Sequence, residues 1–227
     1  MKTVGIIGGM GTLATIDLFN KIAIETNAKS DSEHLHILID NNAQIPDRTK
    51  FILGDGENPT YELEKSAMNL EKIGADFLAI PCNTAHYFYN NIDRAVGIEV
   101  VNMIEETAKN IKKDNINKVG LLATSGTIKS GIYDRIFKDY DIEIVKLSDN
   151  EQSIIMDFIY SIKEGRSDFE RDKIVKIFDN FNDLDVSKVI LGCTELPVGI
   201  DMLDINGDFI DPTNILARVC VEKAKYG

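Results

Sequence analysis

The sequence is poor in several residue types that usually announce a function. It has three cysteines, Cys82, Cys193 and Cys220. That is an odd, sparse set for a disulfide scaffold, so free thiols and a reducing compartment are implied. Histidines also number three. His34 and His36 sit two apart at the start of a strand, but no Cys-x-x-Cys or His-Glu-x-x-His pattern accompanies them, and no metal site is expected. Basic residues are outnumbered: 25 Lys and Arg face 37 Asp and Glu, a formal net charge of -12. That field repels nucleic acid and anionic lipid, and no basic cluster overrides it. A small anionic substrate would need a few placed cations instead. Long apolar runs are missing too. Stretches such as Phe77–Ile80 are strand-sized, far short of a membrane span. Met1-Lys2-Thr3-Val4 passes straight into a strand with no signal-peptide pattern, so a cytoplasmic protein is expected.

What is present suits a globular chain. The 227 residues are 44% hydrophobic and 27% charged, enough for one large domain or two small ones. Apolar, β-branched runs alternate with amphipathic segments. Strands are predicted at Thr3–Gly8, Leu35–Asp40, Asp76–Pro81, Glu99–Val101, Lys118–Thr124, Glu143–Leu147 and Lys188–Cys193. Helices are predicted near 12–28, 59–73, 84–95, 103–113, 127–139, 149–164, 169–181 and 212–225. Asp211-Pro212 reads as an N-cap followed by a first-turn proline. This alternation argues an α/β architecture with largely parallel sheets.

An internal repeat organises the chain. Val4-Gly5-Ile6-Ile7 aligns with Val119-Gly120-Leu121-Leu122 at an offset of 115 residues. Each half also has a strand ending in cysteine with threonine close behind: Ile80-Pro81-Cys82-Asn83-Thr84 and Leu191-Gly192-Cys193-Thr194, whose cysteines are 111 residues apart. Matched landmarks in the same order imply two similar lobes that switch near residues 97–102. Ligands of open parallel sheets bind beyond the carboxyl ends of the strands. Related by a pseudo-twofold, Cys82 and Cys193 would face each other across one cleft.

The other candidates weigh less. Gly9-Met10-Gly11-Thr12-Leu13-Ala14 fits a dinucleotide fingerprint, but Asp40 lies farther on than the usual acidic partner, and a tight strand-to-helix turn also needs glycine. Cys220 lies on an amphipathic C-terminal helix and reads as core. Cys82 and Cys193 precede helix N-termini, where a thiol's pKa is lowered. A thiolate on one side and a thiol on the other make a base and an acid. His86 stands close behind Cys82 as a supporting residue, and Tyr87-Phe88-Tyr89 reads as packing.

With these residues the chain resembles the aspartate/glutamate racemase family, nearest its aspartate racemase branch. The carriers are Gly8-Gly9-Met10-Gly11, Pro46-Asp47-Arg48-Thr49, Pro81-Cys82-Asn83-Thr84-Ala85-His86, Thr124-Ser125-Gly126-Thr127 and Leu191-Gly192-Cys193-Thr194-Glu195-Leu196-Pro197. Glutamate racemases typically open with Asp-Ser-Gly and carry Gly-Cys-Thr-His at the second cysteine, where this chain has Glu195. The resemblance implies two pseudo-symmetric lobes, each a mostly parallel sheet flanked by helices, with the active site in the cleft between them. It puts residues 1–98 and 208–227 in the first lobe and 99–207 in the second, the C-terminal helix returning to the first. It further implies a homodimer and a reaction without cofactor or metal.

The implied reaction interconverts L- and D-aspartate, Cys82 and Cys193 taking and giving the Cα proton on opposite faces. Substrate contacts are implied at Met10, Arg48, Asn83, Thr84, Ala85, Thr124, Ser125, Thr127, Lys163, Thr194 and Glu195. Arg48 and Lys163 match the positions that clamp the side-chain carboxylate. The alternatives are a broad-specificity or glutamate racemase, an NAD-dependent oxidoreductase, and a solute-binding protein.

Overall fold

Among the described residues, eight short strands and eleven helices alternate along the chain. The first half holds β1 (Val4–Gly8), α1 (Thr12–Thr26), β2 (Ile37–Asn41), α2 (Arg48–Leu53), α3 (Thr60–Lys72), β3 (Phe77–Ala79), α4 (Tyr89–Ala95) and β4 (Glu99–Val100). The second holds α5 (Met103–Lys113), β5 (Lys118–Ala123), α6 (Ser125–Ser130), α7 (Ile132–Lys138), β6 (Glu143–Val145), α8 (Asp149–Lys163), α9 (Arg171–Asp183), β7 (Val189–Gly192), α10 (Glu195–Met202), β8 (Phe209–Ile210) and α11 (Pro212–Tyr226). The computed structural model describes residues 1–166 and 168–227.

The strands form two four-stranded parallel sheets, ordered β2-β1-β3-β4 and β6-β5-β7-β8. Side chains alternate between faces, as strand geometry requires. In the first sheet Val4, Ile6, Phe77 and Ala79 enter one core, and Ile7, Leu78 and Ile80 enter the other. In the second, Val189 and Leu191 face the helices α8–α10, while Val119, Leu121 and Ile190 face α5 and α7. Helices on both faces explain why these strands are continuously apolar.

The repeat is preserved down to register. Gly5 stands beside Leu78 and Gly120 beside Val189. The offsets of 115 and 111 residues therefore describe one pairing scheme used twice. A Cβ on Gly120 would lie 2.8 Å from the Phe181 ring, so α9 can seat its aromatic on the strand only against glycine.

Two helices belong to both cores. Met103 of α5 joins the first sheet's core and Ile104, Ala108 and Ile111 join the second's. On α11, Leu216, Ala217 and Cys220 pack with the first sheet, and Ile215 with the second. Asp211 caps α11 by accepting the Thr213 N–H at 2.8 Å, and its other oxygen meets Lys21 of α1 at 2.7 Å. The Lys2 N–H donates to the Ala224 carbonyl at 2.9 Å, tying the helix to the start of β1.

Several boundaries differ from expectation. Residues 208–227 are expected in the first lobe, yet Phe209 and Ile210 pair with β7 of the second sheet, and the return starts only at α11. The helix predicted over 127–139 is two helices broken at Gly131, whose φ is 63°. The segment at 84–95 opens as a tight turn, Thr84–Phe88, before α4. Among the described residues no helix is long and apolar enough to cross a membrane.

Candidate active site

Both repeated cysteines follow strands that flank the sheet centres. Cys82 comes just after β3, in a turn where its N–H donates to the Ile80 carbonyl at 2.9 Å. Cys193 follows β7 directly, and its carbonyl accepts the Leu196 N–H at the start of α10. Each thiol is buried, Cys82 7% and Cys193 6% exposed, and the two line one narrow cleft. Side chains from both halves of the chain line this cleft.

Met10, Arg48, Asn83, Thr84, Thr124, Lys163, Thr194 and Glu195 line the same cleft. Three residues anticipated there do not reach it. Ala85 is fully buried in the first sheet's core. Ser125 points toward α8, its N–H on Met156 Sδ at 3.0 Å and its Oγ accepting from Gln152 at 3.4 Å. Thr127 stands behind the wall, its hydroxyl 2.8 Å from Thr84 Oγ1 and 3.1 Å from Thr124 Oγ1. Asp47 and Thr49 line the cleft without having been anticipated, although both flank Arg48 in the quoted motif.

The threonines join the two halves. Thr84 Oγ1 lies 3.0 Å from Thr124 Oγ1, which also accepts from Thr49 at 3.3 Å. This close approach needs Gly126: a Cβ there would fall 2.8 Å from Thr49 Cα. Tyr133 of α7 adds a further bridge. Its buried phenol donates to Asn83 Oδ1 at 2.6 Å, and burial pushes its pKa far up, so it stays protonated. Held this way, Asn83 keeps its buried Nδ2 without a partner. Tyr133 carries no signal in the sequence that separates it from ordinary core.

Charge is distributed unequally. Two Arg48 N–H contacts go to the carbonyls of Ile45 (3.2 Å) and Pro46 (2.9 Å), while its buried Nε has no partner. Two buried donors, Arg48 Nε and Asn83 Nδ2, thus have no acceptor from the protein. Asp47 is occupied in capping α2, accepting the Lys50 N–H at 2.8 Å. Burial pushes the Lys163 ammonium down, but the net shift is upward, because Cys193, Glu195 and Cys82 face it and outweigh Arg48. The Cys193 thiol is pushed well above its ordinary range, first by burial and then by Glu195, with Lys163 opposing. Cys193 Sγ donates to Glu195 Oε2 at 2.9 Å.

His86 supports Cys82 through the main chain. The Met103 N–H donates to its Nε2 at 3.1 Å, so Nδ1 carries the proton and donates to the Cys82 carbonyl at 2.9 Å. Burial lowers its pKa to about 4. An unfolded histidine titrates near 6.5, so as pH falls below that value the unfolded chain takes up a proton that the fold refuses. Stability is therefore lost between about pH 6.5 and 4, by about 3 kcal/mol from this group. Denaturant titrations of the wild type and His86→Gln test this. The gap in stability between them should narrow on acidification, and a gap constant with pH would contradict it.

The glycine turn after β1 spends its groups internally. Thr15 Oγ1 accepts the Gly9 N–H and donates to the Gly11 carbonyl, both at 3.0 Å. Asp40 is engaged by Ser66 at 2.8 Å. A dinucleotide would find the Gly9 N–H already spent and one oxygen of Asp40 already engaged. His34 and His36 are exposed, His36 lying 3.4 Å from Thr3 Oγ1.

Two like parallel sheets, each contributing a strand-end thiol to one cleft, define an α/β protein whose site is shared between duplicated halves. Comparison with known proteins gives this class a name. The chain belongs to the Asp/Glu/hydantoin racemase family, whose model matches residues 7–220. It is accordingly an isomerase of the racemase type. Aspartate racemase from Picrophilus torridus is similar at 33% identity and a TM-score of 0.87, over 98% of this chain and 94% of that one. An aspartate racemase homologue from Pyrococcus horikoshii shares 27% identity, with a TM-score of 0.80 over 99% of both chains. A broad specificity amino-acid racemase of Bacillus subtilis is 28% identical over 225 residues, 96% of each chain.

Proposed function

We propose that this racemase interconverts L- and D-aspartate without a cofactor, using Cys82 and Cys193 as base and acid on opposite faces of Cα. The observation that carries the reading is the meeting of both repeat-matched thiols in one cleft with Arg48 and Lys163. One thiolate removes the Cα proton, and the opposing thiol delivers its own proton to the other face. The two cysteines have then exchanged protonation states. A single base would have to move around the carbon, and facing bases avoid that.

General acid–base help of about 10²–10⁴-fold falls short for so weak a carbon acid. The remainder comes from fixed donors in a dry cleft. Asn83 Nδ2 and Arg48 Nε are buried and unpartnered, so they can meet carboxylate oxygens without breaking existing bonds. In an otherwise acidic chain, Arg48 and Lys163 supply two positive charges for the substrate's side-chain carboxylate.

The free state of all three cysteines fits work in a reducing, cytoplasmic setting. We propose a homodimer as the working form, with the first lobe formed by residues 1–98 and α11. Aspartate and neutral amino acids, supplied as single enantiomers with no added cofactor and followed by chiral chromatography, test the function. Racemisation of aspartate well ahead of alanine or serine is expected. Equal turnover of neutral amino acids would favour a broad-specificity racemase, and no turnover of aspartate would overturn the reading.

A further inference from the structure

The two thiols occupy matched positions, but their surroundings do not match. The residue two places after Cys193 is Glu195, and the residue two places after Cys82 is Thr84. Thr84 spends its hydroxyl on Thr124 and Thr127, at 3.0 and 2.8 Å. Glu195 turns back onto the thiol. Its Oε2 accepts from Cys193 Sγ at 2.9 Å and from Thr194 Oγ1 at 3.2 Å, and its Oε1 lies 4.0 Å from Lys163 Nζ. The carboxylate is largely enclosed, its side chain 11% exposed. Among the described residues, no carboxylate hydrogen-bonds to Cys82 Sγ.

We infer that Glu195 makes the pair unequal: by accepting the Cys193 hydrogen bond it holds that thiol protonated in the free enzyme, so that Cys193 starts as the acid of the pair. The inference rests on the two-thiol reading proposed above. An ionised carboxylate can only accept, so its bond to Cys193 exists only while the sulfur keeps its proton. Ionising Cys193 would leave two negative groups at hydrogen-bond distance in a buried place. The other titratable groups around the cleft are Lys163 and Tyr160 from α8, Tyr133 from α7, and Cys82, Asp47 and Arg48 from the first sheet's side. Only the two cations favour the thiolate. Burial and Glu195 prevail over Lys163, and the Cys193 thiol lies well above its ordinary range.

Glu195 is on this account a positioning residue. It does not touch the reacting carbon but decides which thiol starts with the proton. The two enantiomers have equal free energy, so kcat/KM must remain equal in the two directions at every pH. The asymmetry falls on kcat and KM taken separately, and on the titration of the free thiols.

A protein carrying Cys82→Ser and Cys220→Ala keeps Cys193 as its single thiol, whose ionisation can be followed by the ultraviolet absorbance of the thiolate. Adding Glu195→Gln, which keeps the shape and removes the charge, should lower the titration midpoint by about one pH unit or more. Adding Lys163→Met instead should raise it. In the otherwise native enzyme, Glu195→Gln should change the ratio of the two kcat values while both kcat/KM values fall together. A midpoint that stays put or rises with Glu195→Gln overturns the inference. The underlying reading fails separately: racemisation that survives Cys82→Ser would refute the two-thiol mechanism whatever the titration gives.

Discussion

Replacing Cys82 or Cys193 by serine is expected to lower racemisation by about 10³-fold or more, each alone being sufficient. Serine keeps nearly the same shape, but its hydroxyl does not ionise near neutral pH, so the altered face has neither a usable base nor a matched acid. On the proposed mechanism each thiol serves one face, so the partner cannot compensate. The remaining cysteine can still exchange the Cα hydrogen of one enantiomer with solvent, and Cys193→Ser should retain such exchange on the face served by Cys82. Cys220→Ala is the control. Cys220 is fully buried where α11 packs on the first sheet, outside the cleft, and burial pushes its thiol up to about 12. Turnover should be unchanged in that variant, with some loss of thermal stability from the removed sulfur. Chiral chromatography with thermal melting of the three proteins separates lost chemistry from lost fold. Near-normal turnover in either cleft variant would defeat the mechanism.

Arg48→Ala is expected to weaken aspartate about tenfold to a hundredfold, the equivalent of 1.5–3 kcal/mol for a buried charged hydrogen bond. Alanine and serine should suffer far less, since they bring no second carboxylate. The guanidinium is already fixed by the Ile45 and Pro46 carbonyls, so its free Nε edge is preorganised and little side-chain freedom is lost on binding. For the same reason Arg48→Lys should recover only part of the loss: an ammonium cannot hold both carbonyls and present a planar edge. Equal losses for acidic and neutral substrates would make Arg48 a loop brace instead.

The strands and their repetition were legible because two-sided burial writes near-continuous apolar runs, and because Gly5 and Gly120 mark the same place in both halves. The cysteines were legible for a related reason, since strand ends in parallel sheets point at the site. Short elements were not. At six residues, α2 is too brief for helical periodicity to register, and β8 has two residues. In α10, a proline and a glycine interrupt the apolar pattern over Glu195–Met202. Side-chain direction in tight turns also escaped the sequence. Cys82, Asn83 and Thr84 reach the cleft while Ala85 turns into the core, because the turn at Thr84–Phe88 rotates each successive side chain. Ser125 and Thr127 fail in the same way around the cap of α6. Tyr133 was invisible because its bond to Asn83 depends on how α7 meets the other half of the molecule, which no local pattern encodes.

The central claim is that one thiol removes the Cα proton and the other returns a different one. It is tested most directly by the fate of that hydrogen. L-aspartate with ordinary hydrogen at Cα is incubated with the enzyme in D₂O, and both enantiomers are analysed by mass spectrometry at low conversion. The account predicts D-aspartate carrying deuterium at Cα, because the delivering thiol has equilibrated with solvent, while the remaining L-aspartate stays largely protonated. Early D-aspartate without deuterium would contradict the roles of Cys82 and Cys193, since a single base or a hydride carrier can hand the original hydrogen back.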